Sequence, residues 1–186
     1  KEIRKNRIGE ISYIYSRRNT DLNTVLRVKG KFSLAYWIIV HDIDLMRWMF
    51  ESEVREVFSL RIGNQEDEKG IITNLFFDNG KIGVIESVFF GPELPRSNSD
   101  RMDLHGERGK IELNISDSVY SVFKKNDIET LNVKDDNKNI DNMINHFIEV
   151  IQLEKKPIVS FEDGFKSVLV SEAIQESLDR GCKVKI

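Results

Sequence analysis

Several features are scarce in this 186-residue sequence, and each absence excludes something. The single cysteine, Cys182, cannot form an internal disulfide. With no signal peptide in view, a reducing cytoplasm is the expected compartment. The apolar runs, such as 38–40 and 82–85, are far too short to span a bilayer, so no membrane segment is expected. Neither sign of charge dominates: 28 basic and 31 acidic side chains leave a formal charge of -3. That excludes nucleic-acid binding by bulk electrostatics, which calls for a basic patch and a high pI. Neither G-x-G-x-x-G nor G-x-x-x-x-G-K-[ST] occurs, so the chain carries no phosphate-gripping loop and no cofactor-binding residue is assigned within it. There are no cysteine pairs for zinc, no H-E-x-x-H and no G-x-S-x-G elbow. No internal repeat or composition shift divides the chain, and residues 1–186 read as a single domain. The chain opens on Lys1 rather than Met, as expected of a piece of a longer polypeptide.

What is present is an ordinary globular balance, 40% hydrophobic and 32% charged. A domain of this size buries roughly two-thirds of its unfolded surface and needs no staples. Period-2 alternation predicts strands over 8–18, 54–62, 71–77 and 81–90. Four shorter ones follow over 101–105, 110–115, 118–124 and 128–133, and a last one over 184–186. Asp78-Asn79-Gly80 predicts a hairpin because Asn and Gly accept positive φ, and Glu107-Arg108-Gly109 predicts another turn. Gly91–Leu94 with Pro92 and Pro95, and 134–139, read as loops.

Apolar residues at helical spacing predict helices over 34–50, with Lys31 and Ser33 near its start, and over 139–153. A third begins at Ser160. There Ser160 and Asp163 resemble a capping box, and Gly181 ends the helix. Strands do not alternate with helices, so the expected class is α+β: a large, mostly antiparallel open sheet with helices on one face. Residues 81–90 place apolar side chains on both faces of one strand, so both faces should be covered. Helices cover one. A second subunit is expected on the other, the plainer alternative being a loop or a further domain.

The polar segment His41-Asp42-Ile43-Asp44 lies inside an apolar helix. At helical spacing Trp37, His41, Asp44 and Trp48 share one stripe. An imidazole one turn from a carboxylate can be held in one tautomer and act as a general base near neutral pH. The plainer reading is a His–Asp pair satisfying itself at a core edge. A metal reading of His41, Asp42 and Asp44 fits less well, since Asp42 points about 100° away from His41 on a helix. His105 and His146 give no reason to converge on them. Arg17-Arg18-Asn19 at a strand end could bind an anionic or sugar substrate, or form a solvated charge cluster.

Taken in order, Ile8-Gly9-Glu10-Ile11, Arg17-Arg18-Asn19, His41-Asp42-Ile43-Asp44-Leu45-Met46-Arg47-Trp48 and Phe77-Asp78-Asn79-Gly80 form a familiar succession. It continues through Leu104-His105-Gly106-Glu107-Arg108-Gly109-Lys110-Ile111 and Ala173-Ile174-Gln175-Glu176-Ser177. The whole chain resembles the C-terminal domain of the glucose-fructose oxidoreductase / inositol dehydrogenase / MocA (Gfo/Idh/MocA) oxidoreductase family. The resemblance implies an upstream Rossmann domain, absent from this sequence, that binds NAD or NADP. It implies a hydride-transfer enzyme acting on a sugar, cyclitol or similar hydroxy or keto compound, inactive as this fragment alone. It also implies a homo-oligomer through the open sheet face. His41 matches the family's catalytic histidine; Arg17, Trp37 and Asp44 are the expected substrate contacts. Many members carry an aspartate where this sequence has Trp37, and an indole cannot orient an imidazole ionically. The alternative is therefore a non-catalytic small-molecule-binding or oligomerisation domain of the same fold. A metal-dependent hydrolase is the reading from another class.

Overall fold

The computed structural model describes residues 6–20, 33–89, 100–115, 117–132 and 139–186. Lys31, the loop around Pro92 and Pro95, and 134–138 lie outside the described residues. Strand β1 (Ile11–Thr20) is followed by a π-helical turn, α1 (Ala35–Ile39), which runs straight into α2 (Val40–Phe50). Then come β2 (Val54–Gly63), β3 (Glu68–Phe77) and β4 (Ile82–Phe89). The next four are β5 (Arg101–Gly106), β6 (Gly109–Asn114), β7 (Val119–Lys124) and β8 (Asp127–Asn132). Helices α3 (Asn139–Gln152) and α4 (Phe161–Arg180) and the short β9 (Val184–Lys185) close the chain.

All nine strands form one sheet in the order β8-β7-β6-β5-β1-β4-β3-β2-β9. Neighbours are antiparallel except β1 and β4, which run parallel. This is the α+β architecture expected from the sequence.

Local chemistry accounts for the ends of the elements. The β3–β4 turn is closed by Gly80 N–H to the Phe77 carbonyl at 3.0 Å. Here the expectation needs adjustment: Gly80 alone has positive φ, +82°, and Asn79 does not. Asn79 works through its amide instead, donating to the Phe50 carbonyl at 3.1 Å and accepting from Lys81 N–H at 3.3 Å. The hairpin is thereby tied to the end of α2. At α4 the capping box is complete. Ser160 Oγ accepts from Asp163 N–H at 3.1 Å, and the Asp163 carboxylate accepts from Ser160 N–H at 2.8 Å. Gly181 ends the helix in the left-handed conformation.

Helices α2 and α4 lie on one face of the sheet. Beneath them Ile14, Ile39, Ile43, Met46, Leu75, Phe77, Ile85 and Ile174 are sealed from solvent. Each such side chain contributes roughly 1.5–3 kcal/mol of burial free energy. Gly83 of β4 sits directly under Met46: a Cβ there would lie 2.6 Å from its sulfur.

On the opposite face Leu60 and Ile82 are 53% and 39% exposed, and no described helix covers them. Also uncovered is α3, whose Ile140, Met143, Phe147 and Ile151 are all more than 60% exposed. Its apolar stripe is the one expected from the sequence, but nothing among the described residues covers it. No helix among the described residues is long and apolar enough to cross a membrane.

Candidate functional site

Helix α2 sorts its side chains by depth. Asp42, Ile43, Met46, Arg47 and Phe50 point inward and are buried. His41 and Trp48 point outward and are exposed, and Asp44 is intermediate. Trp37, in the π turn, is partly buried and packs against the core. The four residues expected on one stripe therefore divide, with Trp37 drawn to the core edge and His41 left facing solvent. The His41 ring makes no hydrogen bond among the described residues. Asp44 does not clamp it; its carboxylate lies 3.6 Å from the Arg47 guanidinium and 3.5 Å from Ser167 Oγ.

A cleft of about 660 Å³ opens at the C-terminal end of α2. Asp44, Leu45 and Trp48 line one wall; Glu51, Glu53 and Asp78 line another; Ile158 and Val159 close the side. His41 and Trp37 are not among its lining residues. Arg47 forms the cleft's floor and is only 6% exposed. Its guanidinium grips Glu53 with two hydrogen bonds, at 2.6 and 3.1 Å. It also donates to the Asp163 carbonyl at 2.8 Å and to Ser167 Oγ at 2.9 Å. One side chain thus joins α2 to the start of β2 and the first turn of α4. The Arg47 hydrogen bonds, with Lys166 adding to them, hold the Glu53 carboxyl below its ordinary range.

The first strand divides the arginine pair. Alternate residues of β1 face opposite sides of the sheet. Arg18 turns to the helices, where its Nε donates to the Asp42 carboxylate at 2.8 Å. Asp42 is completely buried. Arg17 turns the other way, beside Tyr15 and Glu86 on the open face, opposite Arg101 across β5. Its Nε is buried without a hydrogen-bond partner among the described residues. The structure therefore groups His41, Asp44 and Trp37 on one side of the sheet and Arg17 on the other. Three residues join the first group: Arg18, which the sequence suggests only as a strand-end substrate contact; the buried Asp42, suggested only as a metal ligand and here an inward anchor; and Arg47, to which the sequence assigns no role. A signal existed for Asp42, since a carboxylate at an inward helical position needs a cation, but its partner lies 24 residues away. His41 and Asp42 do not converge on one point, and no group of three metal-ligating side chains gathers among the described residues.

Residues 1–186 match the family described as "Oxidoreductase family, C-terminal alpha/beta domain". The chain belongs to this family. Solved structures share the fold of this oxidoreductase C-terminal domain at low identity. A levoglucosan dehydrogenase in complex with NADH and levoglucosan superposes with a TM-score of 0.85 at 18% identity, over 99% of this chain and 60% of that one. An aldose-aldose oxidoreductase from Caulobacter crescentus, complexed with glycerol, gives 0.81 at 20% identity over 99% and 58%. UDP-N-acetylglucosamine 3-dehydrogenase from Acidithiobacillus ferrooxidans gives 0.81 at 13% over 96% and 57%. Among proteins of curated function, none matches this sequence. The chain spans about three-fifths of the length of the solved relatives it matches.

Proposed function

We propose that this oxidoreductase domain is the substrate-side half of an NAD- or NADP-dependent dehydrogenase acting on a carbinol or carbonyl carbon of a sugar-like compound. The observation that carries the reading is His41: an exposed imidazole with no hydrogen-bond partner among the described residues, facing outward from a helix whose neighbouring residue is pinned inside. Relatives of the same fold were solved with NADH, levoglucosan or glycerol, and the proposal extends that chemical class to this chain.

The described residues offer no nucleotide cradle of their own, and the sequence has no glycine-rich phosphate loop. The nicotinamide nucleotide is therefore assigned to a preceding domain of the same cytoplasmic polypeptide. The uncovered apolar stripe of α3 supports a docked neighbour, since apolar surface on this scale is rarely left to water. When bound, the nicotinamide carries the hydride. The protein's part is the proton. Oxidation of an alcohol sends a hydride from carbon and a proton from oxygen, and His41 in its neutral form accepts that proton; in reduction the imidazolium returns it. Trp37 and Asp44, one turn before and one turn after His41 in the chain, are the proposed substrate contacts: an indole offers a face to a sugar ring, and a carboxylate accepts from hydroxyls. Arg17, on the far face, belongs in this proposal with a homo-oligomer interface formed by the open sheet.

The test uses NADH fluorescence. The polypeptide carrying both domains should shift it, and residues 1–186 alone should not. A shift with this domain alone would contradict the assignment. Trp37 favours a second reading, because it cannot orient His41 as an acid would. In that reading the domain binds a small molecule or assembles subunits without catalysis.

A further inference from the structure

From the Asp42 anchor we infer that Arg18 and Asp42 are the positioning pair for His41, an inference that rests on the proposed function. Successive residues of an α-helix point about 100° apart, so fixing Asp42 inward fixes the direction of His41 outward. The apolar residues of α2 cannot set that direction by themselves. Burial of Ile43, Met46 and Phe50 is non-directional and tolerates small rotations of the helix about its axis. A charge-assisted hydrogen bond of 2.8 Å between a guanidinium and a fully buried carboxylate does not.

The anchor is held from three elements. Arg18 lies near the C-terminal end of β1, Asp42 in the first turn of α2, and Asp100 beside the start of β5. The Asp100 carboxylate is 3.8 Å from the other side of the same guanidinium. Among the described residues only one oxygen of Asp42 is engaged; Oδ1 is buried without a hydrogen-bond partner. Among the described residues the Arg18 contact is therefore the side-chain compensation for burying that carboxylate, and its loss removes that compensation. Arg47, five residues further on, pins the other end of the helix through Glu53 and α4. The helix is thus clocked by two inward charges, and the nearer one adjoins His41 in the chain.

A double-mutant cycle in the two-domain polypeptide tests the pair. Arg18→Met should lower kcat about tenfold or more while KM moves less than about twofold, the signature of a lost transition-state interaction. Combined with His41→Ala it should cost nothing beyond His41→Ala alone, because a positioning residue acts only through the group it positions. Arg18→Lys keeps the charge but loses the planar fork, and should fall between wild type and Arg18→Met. Hydrogen exchange on residues 1–186 supplies a readout independent of turnover. In Arg18→Met the amides of 38–45 should exchange about tenfold faster, with β2 and β3 unchanged. Unchanged kcat in Arg18→Met, a loss that adds to that of His41→Ala, or a uniform rise in exchange across the sheet would overturn the inference. Full turnover in His41→Ala would instead remove the proposed function, and the exchange pattern would still decide whether the pair clocks the helix.

Discussion

The buried hydroxyl of Ser171 on α4 donates to the carbonyl of Ala35, the first residue of the π turn, at 3.0 Å. A π turn replaces the usual i to i+4 ladder with wider bonds, and such turns persist where the surroundings hold them. Ser171 is one such hold: it is fully buried and also lies within 3.2 Å of the Ser167 carbonyl on its own helix. Ser171→Ala should destabilise the domain by about 1–2 kcal/mol, the range for a lost buried hydrogen bond. Thermal unfolding should show the loss as a melting temperature lower by roughly 2–8 °C for a chain of this size. An unchanged melting temperature would mean that the hydroxyl contributes nothing to the turn.

The Arg47–Glu53 contact has a pH signature. The Glu53 carboxyl is depressed chiefly by its hydrogen bonds from Arg47. A depressed carboxyl contributes stability that is present above its unfolded pKa and disappears as pH falls through its folded value. Wild type should therefore exceed Glu53→Gln in stability at pH 7, by under about 1 kcal/mol because the side chain is nearly half exposed. The gap should close on acidification below the ordinary carboxylate range. Denaturant unfolding at pH 7 and at pH 3 checks this, and a gap that widens in acid would refute it.

Gly83→Ala tests the packing of α2 on the sheet. The new methyl would meet the buried Met46 sulfur at 2.6 Å and Phe77 at 3.4 Å. Overpacking of this kind costs about 1–3 kcal/mol. Equilibrium unfolding should register that cost, and a neutral result would show that Met46 yields freely.

The two faces of the sheet show what a sequence can and cannot disclose. The capping box at Ser160 and Asp163 and the turn at Gly80 were legible because their chemistry is local, three residues or fewer. Strand and helix spans followed from periodicities of 2 and 3.6. The Arg18–Asp42 pair was not legible, because no local pattern says which cation meets a buried carboxylate 24 residues away. The division of Arg17 from Arg18 was hidden for a related reason. Alternation says that neighbours face opposite sides, but only the packed helices decide which side is which. The stripe of α3 was visible, whereas its lack of cover was not, since amphipathicity reports a preference and not a partner. The π turn left no composition signal, so Trp37 was placed on the stripe of His41 rather than at the core edge.

The open face offers its own test. Leu60 and Ile82 stand exposed on it, on the same face as Arg17. If a second copy covers this face, Leu60→Asp should shift sedimentation from oligomer to monomer without lowering the melting temperature of the monomer. Retention of the oligomer in Leu60→Asp would place the contact elsewhere.

The central claim is that His41 exchanges the proton of a substrate hydroxyl. The most direct measurement is steady-state turnover of the two-domain polypeptide with NAD or NADP and a sugar-like alcohol, comparing wild type with His41→Asn. Asparagine keeps a polar side chain but cannot accept the proton. The expected result is a fall in kcat of about a hundredfold or more, with folding and nucleotide binding intact. Equal turnover in the two proteins would contradict the account.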